Sequence, residues 1–198
     1  MFESYNKVQQ AVLDTTLNLI IDRELQATSM SLIAKDSGVS TGNIYHYFSS
    51  KEDIINELYK AIVRFNGDYV TKNMNKSDSI QKQFRTAWCN LIELGHLYPK
   101  GFRFIEQYSF SPYIHEQSKL EAYKDGWCGP LEKLYRQAVE EELFIRLDPR
   151  MMVQMHYGSI VYLLKGHQQD LLELTDEIAD EVILACWNAV SLIKGWNE

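Results

Sequence analysis

The sequence predicts an all-α protein, with an N-terminal three-helix domain followed by a larger helical domain. Apolar residues recur three or four positions apart along most of the 198 residues, which is the spacing of one face of an α-helix. The alternating pattern of half-buried strands is absent, and Asn66-Gly67 lies inside a helical pattern, not between β-branched runs. We therefore expect no sheet, and we divide the chain into residues 1–50 and residues 51–198.

Two long helices frame the N-terminal part of the chain. The first is predicted over residues 5–25, and another begins after Ser50, which can cap it with Asp53 at its third position. That second helix continues to Phe65, beyond the N-terminal domain, and would join the two halves of the protein. The apolar stripe of the first helix consists of Val8, Val12, Thr15, Leu19 and Ile20.

Residues 28–54 predict a helix, a tight turn and a short helix. Ala34 is small enough for two helices to cross closely, Gly38 suits a turn with positive φ, and Ser40 can cap the short helix. The first turn of that helix carries Thr41, Gly42 and Asn43, and a rigidly held, exposed helix N-terminus fits the DNA major groove. The apolar residues expected to lock the two helices together are Ile33, Val39, Ile44 and Tyr47.

The C-terminal half contains all four prolines. Ser111-Pro112 and Asp148-Pro149 each resemble a cap followed by a first-position proline, so each is expected to start a helix. The polar segment 73–79 is expected to separate two helices, and Gly126 and Gly129 to interrupt one.

The last two predicted helices, 149–167 and 176–195, are unusual because the second is apolar nearly all round. Such a helix is covered on every side, and in a chain of this size a second subunit is the expected cover. The alternative is a terminal hairpin that packs only on its own domain. The residues expected at a dimer interface are Met152, Met155, Ser159, Tyr162, Val182, Ala185, Cys186, Ala189 and Ile193.

The stretch from Ile33 to Ile54 resembles the N-terminal domain of the TetR family of transcriptional regulators. The resemblance rests on Ile33-Ala34, Gly38-Val39-Ser40, the aromatic run Ile44 to Phe48 and the following Ser50-Lys51-Glu52-Asp53-Ile54. It extends over residues 5–60 and implies a homodimer with a four-helix interface that binds a DNA operator and a small-molecule effector. Two positions depart from the family pattern: Glu24 replaces the usual Gly, and Thr41 replaces a common basic residue.

Several side chains of the N-terminal domain are candidates for DNA contact. Asn43 can bind adenine through both amide atoms, while hydroxyl and basic groups can bind phosphates. The resemblance favours Tyr45 at the DNA, with Tyr47 and Phe48 inside. The full set of candidates is Ser29, Ser31, Lys35, Thr41, Gly42, Asn43, Tyr45, His46 and Lys51.

The charge of the protein does not by itself favour nucleic acid. The net charge is −7, and residues 1–55 carry four basic against seven acidic side chains, for a net charge of −3. Binding to double-stranded DNA must therefore depend on helix N-termini, backbone amides and a few lysines.

The C-terminal half is rich in aromatic residues, which can line a ligand-binding cavity. The alternative, for most of these rings, is that they pack in the hydrophobic core. Prolines and glycines near several aromatic residues suggest places where helices break and a cavity opens. The candidate ligand-binding residues are Phe102, Arg103, Phe104, Gln107, Tyr108, Trp127 and His156.

Other functions find little support in the sequence. No HExxH, GxSxG, phosphate-loop or GxGxxG pattern is present, so we expect neither an enzyme nor a cofactor or metal site. The chain shows no signal peptide and no apolar run that would span a membrane, so cytoplasmic residence is expected. The three cysteines are expected to be buried thiols in a reducing compartment.

The sequence thus predicts a cytoplasmic, homodimeric DNA-binding regulator, most often a repressor in this family, released by a small apolar or aromatic molecule. Two alternatives remain. One is a DNA-binding protein without an effector, acting on the nucleoid or through protein partners. The other is a helical ligand-binding protein that no longer binds DNA.

Overall fold

The computed structural model describes residues 1–196, apart from the side chains of residues 124 and 125. This part of the chain is helical, with an isolated antiparallel bridge between Phe144 and Ser191, so the expected all-α class is confirmed. No helix within it is long and apolar enough to span a bilayer. The helices are α1 (Lys7–Ala27), α2 (Met30–Ser37), α3 (Thr41–Tyr47), α4 (Lys51–Val70), α5 (Ile80–Leu97), α6 (Pro99–Tyr108), α7 (Glu116–Asp125), α8 (Cys128–Glu140), α9 (Pro149–Gln168) and α10 (Asp176–Val190).

The helices form two compact units that are not continuous in sequence. The first contains Met1–Phe65 and Tyr98–Asp125, and the second contains Asn66–Leu97 and the chain from Gly126 onward. Helix α4 belongs to the first unit as far as Phe65, and its remaining residues to Val70 belong to the second. The boundary predicted after residue 50 lies inside the first unit, at the beginning of α4.

The first unit is built on local capping chemistry and one apolar core. Asn6 caps α1 through a reciprocal bond with Gln9, and Ser40 Oγ accepts the Asn43 amide hydrogen at 3.3 Å. Gly38 ends α2 with a φ of 70°, where glycine is favoured because it lacks a Cβ. The expected turn and cap are confirmed. The core of this unit is formed by buried residues that include Leu13, Ile20, Ile33, Ile44, Phe48, Ile54, Leu58 and Phe104.

The start of α4 differs slightly from the expected capping box. Ser50 Oγ accepts the Asp53 amide hydrogen at 3.1 Å, as expected. The Asp53 carboxylate, however, accepts the backbone N–H of Ser49 at 2.8 Å and not that of Ser50. The shorter acid therefore reaches back four residues and fixes the turn that follows Phe48.

Of the two helix starts predicted from a proline, one is found in the structure and the other is not. Asp148 caps α9 by accepting the Arg150 amide hydrogen at 2.8 Å, with Pro149 in the first turn, which confirms that prediction. Ser111-Pro112 does not start a helix, so that prediction is wrong. The Ser111 carbonyl instead accepts the Ile114 amide hydrogen at 3.2 Å and forms a turn, and α7 begins only at Glu116.

The second unit surrounds a core of aromatic rings supplied by α5, α8, α9, α10 and the segment between α8 and α9. Phe84 lies in its centre, with the ring of Tyr135 stacked on it at a centroid distance of 5.7 Å. The expected break near Gly126 and Gly129 is confirmed, because α7 ends at Asp125 and α8 begins at Cys128. The core rings of this unit are Phe84, Trp88, Tyr135, Phe144, His156 and Trp187.

Candidate functional sites

The first turn of α3 is the most exposed part of the helix-turn-helix. Thr41, Gly42 and Asn43 are all exposed there, while Ile44 behind them is fully buried. A Cβ added at Gly42 would meet no atom of the described residues within 4 Å. The absence of a side chain at Gly42 is therefore not explained by packing within the chain. The turn instead presents polar groups and bare backbone together, which is what close approach to a nucleic acid requires.

The last turn of α3 carries three consecutive ring side chains. Tyr45 is exposed and Phe48 is buried, at 52% and 1%, which is the arrangement expected. Tyr47 was expected inside but is 38% exposed, so its predicted role in locking α2 against α3 is wrong. It lies edge-on against His46 at a centroid distance of 4.8 Å. The cause is the helical rotation, which turns Ile44 and Phe48 toward the core and Tyr47 out of it.

The remaining DNA-contact candidates lie at helix N-termini or on exposed faces. Ser29 caps α2 by accepting the Leu32 amide hydrogen at 3.2 Å, and its hydroxyl lies 3.0 Å from that of Ser31. Lys35 is exposed. Lys51 is half-buried, and its Nζ donates to the backbone carbonyl of Leu25 at 3.2 Å. Lys51 therefore stabilises the end of α1 in addition to its predicted contact with phosphate.

A sharp kink interrupts α1 just before the helix-turn-helix. Glu24 has φ 65° and ψ 164°, a backbone conformation that is found almost only for glycine. Thr28 Oγ1 donates to the Glu24 carbonyl at 3.0 Å and helps to hold the kink. The chain thus keeps, with a glutamate, the backbone conformation for which glycine is suited.

Asn56 is a buried polar residue that sequence reasoning missed. Its Nδ2 donates to the carbonyls of Glu52 and Tyr113 at 2.8 and 3.1 Å, and its Oδ1 accepts the His115 amide hydrogen at 2.8 Å. Asn56 therefore fixes the loop between α6 and α7 to the second turn of α4. The available signal was an amide side chain within the apolar run from Ile54 to Leu58.

The predicted ligand-binding residues are divided between the two units. In the first, Phe102, Phe104 and Tyr108 are buried, whereas Arg103 and Gln107 are exposed. Trp127 and His156 are buried in the second unit. Their role in ligand binding stays a prediction.

A cavity of about 330 Å³, open to solvent on one side, lies between α5 and α10 in the second unit. Its walls include Cys89, Asn90 and Ile183, and none of the predicted ligand-binding residues lines it. Arg85, on α5, donates to both carboxylate oxygens of Asp180 at 2.7 and 2.8 Å, and Asp180 lines the cavity. This ion pair joins the two helices on either side of the cavity.

An apolar face runs along α9 and α10. Tyr162 and Met155 are 79% and 55% exposed, and Ile193, just beyond α10, is 47% exposed. Ser159, Ala185 and Ala189 are also exposed, and Val182 is half-buried. Met152 and Cys186 differ from these, because both are buried within their own chain. The predicted interface residues thus divide into an outer face and two residues that support it from inside.

Comparison with known proteins matches two family models to the chain. Residues 12–58 match the model of bacterial regulatory proteins of the tetR family, and residues 79–191 match the tetracyclin repressor-like C-terminal domain. A crystal structure of a TetR family transcription regulator from Marinobacter aquaeolei VT8 has a TM-score of 0.86 at 21% identity, covering 96% of this chain and 99% of that one.

Two further similar proteins have more specific names. The fatty acid metabolism regulator protein of Bacillus subtilis (strain 168) is 23% identical over 192 residues, which is 89% of this chain and 94% of that protein. The structure of AibR in complex with isovaleryl coenzyme A and operator DNA has a TM-score of 0.72 at 23% identity, covering 89% of this chain and 96% of that one. Because matched domain models span both the helix-turn-helix and most of the C-terminal helices, this chain belongs to the TetR family of transcriptional regulators.

Proposed function

We propose that the protein is a homodimeric repressor that binds a near-palindromic operator and is released by a small apolar effector. The observation that carries the proposal is the first turn of α3. There Thr41, Gly42 and Asn43 are exposed together on a helix whose opposite side is anchored by the buried Ile44. Such a helix can enter the major groove without rearranging the core behind it.

Asn43 is the residue proposed to read a base. Its side chain is exposed and its backbone amide is already bonded to Ser40. Because it is exposed, the side-chain amide can make the two hydrogen bonds that adenine offers in the major groove. Ser29, Ser31, Lys35, Tyr45, His46 and Lys51 are proposed to bind phosphates or sugars and to set the register.

The acidic character of residues 1–55 shapes the expected affinity. With a net charge of −3 in this region, nonspecific attraction to the phosphate backbone is weak. Specific binding then depends more on hydrogen bonds at the α2 and α3 N-termini than on counterion release. We expect a shallower salt dependence than that of a strongly basic DNA-binding domain.

Dimerisation is supported by the apolar face of α9 and α10. Large side chains such as Tyr162 and Met155 are exposed beside small ones such as Ser159, Ala185 and Ala189. Small residues allow partner helices to approach closely while the large ones fill the space between them. A second copy that uses the same face satisfies two-fold symmetry, in which one patch meets itself. Two copies would then present two α3 helices to two half-sites.

The effector is proposed to be a small apolar molecule, and acyl compounds are the first class to test. The Bacillus subtilis relative is named for fatty acid metabolism, and AibR is described with isovaleryl coenzyme A. The aromatic rings of the second unit provide apolar surroundings for such a molecule.

The effector can release the protein from DNA only if it binds more tightly to a dimer conformation that does not fit the operator than to the operator-bound conformation. Helix α4 contributes residues to both units, so it is the element through which we propose that the two sites are coupled. A coupling free energy of roughly 3 kcal/mol would weaken operator binding by a factor of about 150.

The experiment that tests the proposal is selection of bound sequences from random DNA duplexes by the intact protein, with and without an added acyl thioester. We expect an inverted repeat to be enriched in the absence of ligand. The enrichment should fall when a thioester that acts as the effector is added. Enrichment that no acyl or aromatic compound changes would support the DNA-binding protein without an effector. Absence of any enriched sequence would contradict DNA recognition itself.

A further inference from the structure

Three buried side chains form a hydrogen-bonded chain in the core of the second unit. Trp88 Nε1 donates to Tyr135 Oη at 2.9 Å, and Tyr135 Oη lies 2.6 Å from His156 Nδ1. An indole N–H can only donate, so Tyr135 accepts from Trp88. If His156 Nδ1 also donated to Tyr135, the buried Tyr135 hydroxyl hydrogen would be left without an acceptor, which is costly. That hydrogen goes to His156, and Nδ1 of His156 is therefore an acceptor.

The other nitrogen of His156 is consequently a donor. Burial lowers the pKa of His156 to about 4, so the ring is neutral near pH 7. A neutral imidazole whose Nδ1 accepts a hydrogen bond has its hydrogen on Nε2. His156 is only 3% exposed, and its Nε2 meets no partner among the described residues. A buried donor without an acceptor is rare and destabilising.

Among the residues described, the indole N–H of Trp187 is a second buried donor without an acceptor in the same core. Trp187 is 2% exposed, and its Nε1 also has no acceptor in the described part of the chain. The rings of His156 and Trp187 both contact that of Phe84, at centroid distances of 5.7 and 5.2 Å. Two N–H groups therefore border one uncharged aromatic cluster, and both require an oxygen acceptor.

The cavity between α5 and α10 is lined by residues that neighbour members of this cluster along the two helices. Ile183 lines the cavity, and Trp187 follows it by four residues, about one turn, along α10. On α5, Cys89 lines the cavity and is adjacent to Trp88 in the sequence. The cluster itself is close-packed, so a ligand that enters from the cavity must displace an aromatic ring.

We propose that the Nε2–H of His156 binds the carbonyl oxygen of a neutral acyl thioester, whose apolar chain lies among these rings. The inference rests on the proposed effector function and names its ligand class and polar anchor. A donor without a partner selects an acceptor, and a carbonyl oxygen is the acceptor that an acyl compound carries. A free carboxylate would be buried among uncharged rings, which is costly for an anion.

The first test compares ligands that differ only in the carbonyl group. Calorimetric titrations of the intact protein would use the isovaleryl and octanoyl thioesters of N-acetylcysteamine, the matching thioethers with CH₂ in place of C=O, and the free acids. We expect at least one thioester to bind about three- to tenfold more tightly than its thioether, the range for one hydrogen bond. His156→Phe should abolish that preference, and His115→Phe, at an exposed histidine, should keep it.

The second test uses the wild-type protein alone and does not depend on how a variant folds. In ¹⁵N-histidine-labelled protein at pH 7, the two-bond couplings of His156 should show its hydrogen on Nε2. The bound thioester should shift the Nε2 resonance, and the thioether should leave it in place. The inference would be overturned by a hydrogen on Nδ1 or by the absence of binding of either thioester. It would equally be overturned by equal affinity for thioester and thioether, or by tighter binding of the free acid.

These outcomes are distinct from failure of the proposed function. Operator selection in the absence of any ligand reports DNA recognition alone. A protein that selects an operator but shows no carbonyl preference loses only the inference about His156. A protein that prefers the thioester but selects no operator loses the repressor function and keeps the ligand site.

Discussion

The Nζ of Lys51 donates a hydrogen bond to the backbone carbonyl of Leu25 at 3.2 Å. This bond joins the first turn of α4 to the last turn of α1, directly after the kink at Glu24. Because α2 begins at Met30, the bond also holds the segment that leads into the helix-turn-helix. Lys51 therefore has a structural role that its sequence position, typical of a phosphate contact, does not reveal.

Lys51→Ala should lower both stability and DNA affinity. Loss of the bond to the Leu25 carbonyl is expected to cost about 1 kcal/mol of unfolding free energy. Loss of a cation near phosphate should weaken binding to all DNA sequences alike. It should also reduce the slope of log affinity against log salt concentration by about one. Urea denaturation and fluorescence anisotropy over a salt series measure the two effects. Lys35→Ala, at an exposed lysine, is the control and should change the salt slope alone. Parental stability of Lys51→Ala would contradict the structural role.

Glu24→Gly should stabilise the protein. The φ of 65° and ψ of 164° at Glu24 are strained for any residue with a Cβ. Removing the Cβ should raise the unfolding free energy by about 1 kcal/mol after the entropic cost of glycine. Glu24→Ala is the matched control, because it removes the same charge but keeps the Cβ. Thermal denaturation should place the glycine variant above the alanine variant. The reverse order would mean that α1 is not kinked at this residue.

Asn43→Ala should change which DNA sequence is preferred. On the selected operator we expect a loss of about 1–3 kcal/mol of binding free energy, with relaxed choice at one base position. Repeating the selection with the variant protein measures both quantities. Lys35→Ala is again the comparison, since it should weaken binding without changing the preferred bases. Unchanged affinity and preference in Asn43→Ala would assign base reading to another residue.

Ala189→Glu should prevent dimerisation. Ala189 is exposed on the apolar face of α10, and a carboxylate there would be buried without a partner when two copies meet. Sedimentation velocity should show a monomer that no longer binds the operator tightly. Leu120→Glu, at an exposed leucine of α7, carries the same added charge outside the proposed interface and should remain dimeric. A dimer that survives Ala189→Glu would place the interface elsewhere.

The stability of the protein should fall as the pH decreases from about 6.5 toward 4. Burial lowers the pKa of His156 to about 4, so between these values the unfolded chain binds a proton that the folded chain does not. Stability is therefore fully present above pH 6.5 and is lost by up to about 3 kcal/mol on acidification. Urea denaturation of the wild type and of His156→Phe across this range isolates the contribution. Parallel pH profiles would show that folding does not lower the pKa of His156.

The sequence predicted those features that depend on local chemistry. Gly38, Ser40 and Asp148 each form the turn or cap expected of them, because the interaction involves only a few neighbouring residues. Ser111-Pro112 carries the same signal as Asp148-Pro149 but forms a turn, since the chain after it is fixed by the distant side chain of Asn56. A local pattern cannot reveal such a long-range bond.

The candidate sites were less predictable than the fold, for a related reason. The exposure of Tyr47 and the double role of Lys51 depend on how α1, α3 and α4 pack, which the family pattern does not specify residue by residue. The tautomer of His156 follows from the positions of Trp88 and Tyr135, which lie far from it in sequence. Sequence reasoning named His156 as a polar candidate but had no means of assigning its tautomer.

The measurement that tests the central claim most directly is a binding titration on paired duplexes. One duplex carries the selected operator, and the other carries the same sequence with one half-site scrambled. A dimer with two α3 helices should bind the intact operator at least about a hundredfold more tightly, because the second half-site is engaged intramolecularly. Two chains should be bound per intact duplex by sedimentation. Equal affinity for both duplexes, or one chain per operator, would contradict a homodimeric regulator that reads a near-palindrome.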